Sequence, residues 1–341
     1  MSKPLLRSLI VLPDDTAGPV LDAIGAARES LRLKVFALSD QRTIQALSEA
    51  SRRRVKTRVM LNAARHDDGK QHAAAEKSLR EAGVEVLDGN PAFSVTHEKS
   101  LVVDNSTAFV QSFNWESENF TRTRDYAVLT HEAGEVGEIA DCFEADWSRQ
   151  EFVPQQHSPL IWCPVNGRER FAYFIDHALE SLLVQNERFQ DTMIVERLVK
   201  AKLRGVKVHV LTRPAHSLDA EKWTEGVAGL QIMRDVGIKI HRLKGLKLHS
   251  KMLLADGSRA IVGSINLSAG SFDKRRELAI EVEDDPIMDR LQRIAREDWK
   301  NSTPLDVSDE GIQADLERHH QGVVSRWSSH YHAPAPRTPK T

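Results

Sequence analysis

The chain has 341 residues, 40% hydrophobic and 28% charged, which is enough apolar content for two good-sized cores and excludes a disordered or low-complexity protein. Its formal net charge is −2 and its pI about 6.7, so it lacks the global basic field that supplies non-specific nucleic-acid affinity. Two cysteines, Cys142 and Cys163, exclude a disulfide framework or a cysteine zinc site, and "MSKPLLRSLIVLPDD" carries neither a signal peptide nor a membrane span; a cytoplasmic protein with two reduced thiols is expected.

In chain order, "LIVL" reads as a first buried strand, "AGPVLDAIGAARES" as an amphipathic helix, and "LRLKVFAL" as a strand. Helix "DQRTIQALSEASRR", strand "VKTRVML", helix "HAAAEKSLREAG" and strand "VEVL" follow. This alternation predicts an α/β lobe with a mostly parallel sheet. Next, "HEKSLVVD" turns through "NST" into "AFVQSFN", a predicted hairpin, before strand "DYAVLTH" and helix "AGEVGEIADCFEADW".

The series then repeats. "RGVKVHVLTR" at 204–213 answers "RRVKTRVMLN" at 53–62, and "DVGIKIHRL" at 235–243 answers "EAGVEVLDG" at 81–89. "HSKMLLAD" turns through "GSR" into "AIVGSIN", and strand "ELAIEVE" leads to the closing helix "PIMDRLQRIAREDW". Trp147 and Trp299 end the two closing helices, where packing anchors are expected. A duplicated unit of this length means two lobes, 1–153 and 154–302, with an extension over 303–341. In that extension "DEGIQADLERHHQGVVSRW" reads as one more helix and "HAPAPRTPKT" as an unstructured tail, its His319, His320, His330 and His332 solvated rather than metal-binding.

The repeat carries chemistry. His249, Lys251, Asp256, Ser264, Asn266, Arg276, Glu277, Asp298 and Trp299 each lie 152 positions after His97, Lys99, Asp104, Ser112, Asn114, Arg124, Asp125, Asp146 and Trp147. A single His-x-Lys-x4-Asp pattern arises by chance roughly 0.05 times in such a chain; two at a fixed offset with the same following residues do not. On an extended segment His and Lys two apart face one way. Two Lys, two Asn and two Ser around one cavity suit phosphate oxygens, and the set lacks the carboxylate or cysteine cluster of a hydrolytic metal centre. One imidazole can attack phosphorus while the other protonates the leaving alkoxide. Asp125 and Glu277, each 28 residues after a motif His, are candidates to hold one imidazole nitrogen. The basic runs "HRLKGLKLHSK" and "DKRRE" flank the second motif within reach of a phosphate, whereas "SRRRVKTR" reads as a solvated face.

"HEKSLVVDNSTAFVQSFN" and "HSKMLLADGSRAIVGSIN", with "TRDYAVL" and "RRELAIE" downstream, resemble the signature of the phospholipase D superfamily over roughly residues 5 to 300. The resemblance implies two tandem α/β lobes, each a mixed β-sheet flanked by helices, related by a pseudo-twofold axis with one shared active site. It implies His97 as nucleophile, His249 as acid, and Lys99, Lys251, Asn114 and Asn266 as phosphate ligands. Ser112 and Ser264 become supporting substrate-binding groups, and Asp104 and Asp256 tie the hairpins to their lobes. No metal or other cofactor is implied, and one chain suffices for one site. Gln111 departs from the pattern, standing where the second copy has Gly263; the side chain it adds near the first motif is expected either to narrow the pocket or to change which half binds the leaving group.

The second half is similar to cardiolipin-synthase-like proteins, while "SFNW" resembles the nuclease branch. A phospholipid hydrolase or phosphatidyltransferase, peripheral to a membrane, is therefore expected first. A nuclease on single-stranded DNA or RNA is the alternative, disfavoured by the absence of an evident base-stacking groove. A non-catalytic phosphate-binding module fits least, because both motifs are complete.

Overall fold

A computed structural model describes residues 6–62, 69–214, 216 and 223–319. The first lobe opens with β1 (Arg7–Leu12), α1 (Gly18–Ala26), β2 (Ser30–Lys34), α2 (Gln41–Arg52), β3 (Lys56–Leu61), α3 (Gly69–Glu81) and β4 (Glu85–Asp88). Then come β5 (Val95–Thr96), the hairpin β6 (Ser100–Val103) and β7 (Thr107–Gln111), α4 (Ser117–Arg122), β8 (Thr123–Thr130) and α5 (Ala133–Trp147). The second lobe runs β9 (Leu160–Cys163), α6 (Gly167–Asp176), β10 (Ser181–Gln185), α7 (Thr192–Leu203), β11 (Lys207–Leu211), α8 (Trp223–Asp235) and β12 (Lys239–Leu243). It continues with β13 (Lys247–Leu248), the hairpin β14 (Met252–Ala255) and β15 (Arg259–Gly263), α9 (Ala269–Lys274), β16 (Arg275–Val282), α10 (Asp285–Lys300), β17 (Ser302–Pro304) and α11 (Asp309–His319).

Local sequence explains the starts of the matched helices. Asp40 caps α2 by accepting Thr43 N at 3.1 Å, and Asp191 caps α7 by accepting Ile194 N at 3.1 Å. Such a cap contributes about 1 kcal/mol. In α10 the buried residues Ile287, Met288, Leu291, Ile294, Ala295 and Asp298 form one helical stripe.

The sheets are mixed rather than mostly parallel. In the first, ordered β1-β8-β7-β6-β2-β3-β4, only β2, β3 and β4 run parallel. The predicted hairpin joins that same sheet, and its strands, with β8 and β1, are antiparallel. The second is ordered β17-β12-β11-β10-β14-β15-β16 and repeats the arrangement, with β9 pairing β16 antiparallel. The start of the extension, β17, belongs to this sheet as the partner of β12.

Two short strands cross the seam. β5 of the first lobe pairs parallel with β16 of the second, Val95 opposite Arg275 and Thr96 opposite Arg276. Reciprocally, β13 pairs with β8, Lys247 opposite Thr123 and Leu248 opposite Arg124. One apolar cluster also spans both lobes, joining Val110 and Tyr126 to Met252 and Val262, with Ile139 of α5 and Leu291 of α10.

Trp147 and Trp299 are only half-buried; the fully enclosed residue at each helix end is the preceding Asp146 or Asp298. Trp299 stacks on His241 at 4.1 Å between ring centres. Cys142 and Cys163 are buried free thiols. Arg58, read as part of a solvated run, is buried and pairs with Glu144. His319 ends α11, whereas His320, His330, His332 and the Pro-rich tail lie outside the described residues. Among the described residues, no helix is long and apolar enough to cross a membrane.

Candidate active site

The seam strands deliver the motif residues. His97 follows β5 directly, and the backbone N–H groups of His97 and Glu98 both donate to Arg276 O at 2.8 Å. His249 follows β13, and N–H groups of His249 and Ser250 donate to Arg124 O at 3.2 and 2.9 Å. Each motif is thus anchored on the other lobe's long strand just before the acidic residue.

That crossing decides which carboxylate meets which imidazole. Glu277 Oε2 lies 2.8 Å from His97 Nδ1, and Asp125 Oδ1 lies 2.9 Å from His249 Nδ1. Both carboxylates are fully buried. With Nδ1 engaged, Nε2 of each ring is left to face a reacting group. Sequence spacing proposed carboxylates that hold the imidazoles but did not show that each serves the opposite lobe.

Burial lowers the pKa of His97 well below that of a free imidazole, and the cations Lys99, Arg275 and Lys251 push it in the same direction. It is therefore neutral near pH 7. Burial also raises Glu277, against the pull of Lys99 and Arg275. Asp125 differs: burial raises it too, but His249, Lys251 and Ser112 outweigh burial and hold it below the usual carboxylate range.

The lysines are not equivalent either. Lys99 Nζ donates to His97 O at 2.6 Å and lies 5.3 Å from the centre of the Phe36 ring. Burial brings its pKa down to about 7, with Glu277 opposing. Lys251 donates to His249 O and is ion-paired to Glu187 at 3.0 Å, a residue held in turn by Arg213 at 2.9 Å. The matching bridges Leu38–Trp115 and Phe189–Leu267 place Phe36 and Glu187 at equivalent positions. Sequence reasoning missed Glu187, since it has no acidic counterpart in the first copy.

Asn114 and Asn266 are both buried, and each has a side-chain Oδ1 without a hydrogen-bond partner. Orphaned buried amide atoms at equivalent positions suit a polar ligand between them.

Ser112 and Ser264 do not have the free role expected of them. Ser112 Oγ donates to Asp125 at 2.6 Å and accepts Tyr126 N at 2.9 Å; Ser264 Oγ donates to Glu277 at 2.7 Å and accepts Leu278 N at 3.1 Å. They brace the carboxylates instead of waiting for substrate. Gln111 likewise does not narrow a pocket: its Oε1 accepts Trp115 Nε1 at 2.8 Å within the first-lobe core. Gly263 is required where it stands, because a Cβ there would lie 2.4 Å from Ala279 Cα.

Asp104 and Asp256 sit at the hairpin turns with φ of 50° and 55°. Asp104 accepts the backbone N–H groups of Arg28, Glu29 and Ser30, and Asp256 those of Leu179, Glu180 and Ser181, all at 2.8–3.0 Å. Each carboxylate fastens its hairpin to the start of the neighbouring strand.

Two groups of side chains among the described residues have metal-ligand chemistry, and neither includes a motif histidine, lysine or aspartate. In Glu98–Cys142–Asp146 the cation position is taken by Lys34 Nζ, 2.9 Å from Glu98 and 2.7 Å from Asp146. The other, His216–Asp315–His319, joins the loop after β11 to α11.

A duplicated α/β unit whose paired His-x-Lys-x4-Asp motifs meet at the seam is the architecture of the phospholipase D superfamily. The chain belongs to it, within the family described as "Cardiolipin synthase, PLD-like domain", whose model matches residues 20–147 and again 172–299. A curated relative, cardiolipin synthase A of Yersinia pseudotuberculosis serotype O:1b (strain IP 31758), is 23% identical over 327 residues, 81% of this chain and 65% of the relative. The chain spans between 25% and 65% of the length of the first such relatives. Among solved structures, polyphosphate kinase from Porphyromonas gingivalis matches with TM-score 0.69 at 15% identity, covering 94% of this chain and 53% of that one. Phosphatidylserine synthase from Haemophilus influenzae Rd KW20 matches with TM-score 0.65 at 9% identity, covering 95% and 94%. At such identities the two structures share the fold.

Proposed function

We propose that the chain is a phosphodiesterase that hydrolyses phospholipids or transfers their phosphatidyl groups through a phosphohistidine. The observation that carries this reading is the crossed pair of His–carboxylate contacts, 2.8 Å at His97 and 2.9 Å at His249. Neutral His97 presents Nε2 as nucleophile. An ionised Asp125 is the partner that an imidazolium, the form a general acid must take, would have beside it.

In the first step His97 Nε2 forms a bond to phosphorus as the bond to the leaving oxygen breaks, and His249 gives that oxygen its proton. In the second, water or an alcohol attacks phosphorus, loses its proton to His249, and displaces His97 with its electron pair restored. Lys99, Lys251, Asn114 and Asn266 hold the non-bridging oxygens, and charge building on those oxygens strengthens the contacts in the transition state. The phospholipid substrate class rests on the family description and on relatives named as cardiolipin synthase. Lipid access would then be peripheral, at a membrane surface.

The test offers wild type, His97→Ala and His249→Ala mixed phospholipid vesicles with glycerol and, separately, labelled single-stranded DNA, with products read by mass spectrometry. Phosphatidic acid or a new phosphatidyl ester from wild type alone is the expected result. Shortened oligonucleotides with untouched lipid would move the chain to the nuclease branch.

A further inference from the structure

The helix α11 has little apolar hold on the second lobe. Ile312 is its one buried residue, packed against Val227 of α8 with Leu316 partly covered beside it. A helix of 11 residues is marginal without tertiary support, so its polar contacts matter. At its start Gln231 donates to Asp309 at 2.8 Å, an exposed contact. Near its end Asp315 and His319 meet His216, which comes from the loop after β11.

Asp315 and His319 are one turn apart and share a helix face. The backbone N–H and Nδ1 of His216 lie 3.1 and 2.8 Å from Asp315 Oδ2, and His319 Nδ1 lies 3.6 Å from Asp315 Oδ1. Two ligands of a tetrahedral zinc ion, each bonded at about 2.0–2.1 Å, stand about 3.3 Å apart, and the two nitrogen–carboxylate separations bracket that value. The imidazoles lie face to face, 3.5 Å between centres and 8° between planes, so turning one ring about its Cβ–Cγ bond aims both nitrogens at one point. His319 is 45% exposed, which opens the spot to an ion from solvent, whereas Asp315 is only 14% exposed. In Glu98–Cys142–Asp146 Lys34 already supplies the positive charge; among the described residues the ion-pair partners of Asp315 are the two histidines themselves. Two imidazoles and one carboxylate suit zinc, while magnesium and calcium prefer oxygen ligands throughout.

We propose that His216, Asp315 and His319 bind one zinc ion, which fastens α11 to the second lobe. Each residue gives one ring nitrogen or one carboxylate oxygen, and water completes the tetrahedron. Zinc takes the place of the hydrogen bond between His216 Nδ1 and Asp315, and the neutral ring then carries its proton on Nε2. The ion takes no part in the reaction at His97 and His249, and the site stands whether or not the substrate is a phospholipid.

Isothermal titration of the whole chain, first stripped with a chelator, measures uptake of Zn²⁺ with Mg²⁺ as the comparison. Wild type should take up one zinc and no magnesium. His216→Ala, Asp315→Asn and His319→Ala should each weaken zinc by about a hundredfold, the upper end of what losing even an orienting partner of a ligand costs. Two controls locate the ion: the double variant His97→Ala/His249→Ala and the triple variant His320→Ala/His330→Ala/His332→Ala should both keep it. Limited proteolysis then tests the fastening. Zinc should slow cleavage within α11 at least about tenfold in wild type but not in His216→Ala, whose altered residue lies outside that helix. No uptake by wild type, or uptake lost in either control, overturns the site. Uptake that leaves cleavage of α11 unchanged overturns the fastening.

Discussion

At the scale of single residues, the two halves of the site share a motif but differ in charge. Lys99 lies over Phe36 with a pKa brought down to about 7, whereas Lys251 is fixed by Glu187. A lysine is cationic below its pKa, so phosphate binding by the free enzyme should weaken as pH rises through about 7. The opposite limb belongs to His97, which must be neutral to attack; its lowered pKa puts that limb below the usual imidazole range. The expected kcat/KM profile is a bell whose alkaline side moves upward in Lys99→Arg. An alkaline limb unmoved by that substitution would assign it to another group. The motif residues were legible because each appears twice at one offset. Glu187 was not picked out as a site residue, because a side chain present in only one copy gives the repeat nothing to match. Ser112 and Ser264 were legible as a pair yet misread, since spacing cannot tell a hydroxyl that faces substrate from one that faces a carboxylate.

At the scale of elements, the first-lobe helices and parallel strands followed from periodicity, while the caps Asp40 and Asp191 that fix the starts of α2 and α7 became evident only in the structure. The mostly parallel sheet did not survive, because a hairpin read from its own sequence does not reveal that β6 returns to pair with β2. Nor did periodicity expose β5 and β13, two residues each, whose pairing depends on the other lobe. The hairpin aspartates carry a measurable share of the structure. Asp104→Ala removes a carboxylate that accepts three backbone N–H groups and puts alanine at a positive φ. A loss of about 2 kcal/mol in urea unfolding is expected, and less for Asp104→Asn, which tolerates the left-handed conformation and keeps an acceptor. Asp104 and Asp256 both have pKa values below the ordinary one, against burial, because backbone N–H groups stabilise the charge. Their contribution is therefore present above the unfolded-state value and fades as pH falls through the lowered folded one. An alanine variant as stable as wild type at pH 7 would remove this role.

At the scale of the whole molecule, the seam is held by an apolar cluster and by two buried ion pairs that are related by the repeat but differently supported. Arg276 reaches Asp146, which also contacts Lys34 at 2.7 Å and Asn90 at 3.1 Å. Arg124 reaches Asp298 at 3.0 Å, where the residue in Lys34's place is Gln185, at 3.2 Å. The pKa of Asp146 falls, since Lys34 and Arg276 together overcome burial; that of Asp298 rises, since Arg124 does not. Removing one member of a buried pair leaves an uncompensated charge, at a cost of about 3–5 kcal/mol. Arg124→Met should approach that figure because Asp298 is left with a neutral amide, whereas Arg276→Met should cost about half as much because Lys34 remains on Asp146. Adding Asp298→Asn to Arg124→Met should recover part of the loss, as the stranded charge goes with it. Thermal and urea unfolding of the three variants measure the difference. Equal losses from Arg124→Met and Arg276→Met would mean that Lys34 is wholly occupied by Glu98 and that the two sides of the seam are energetically alike.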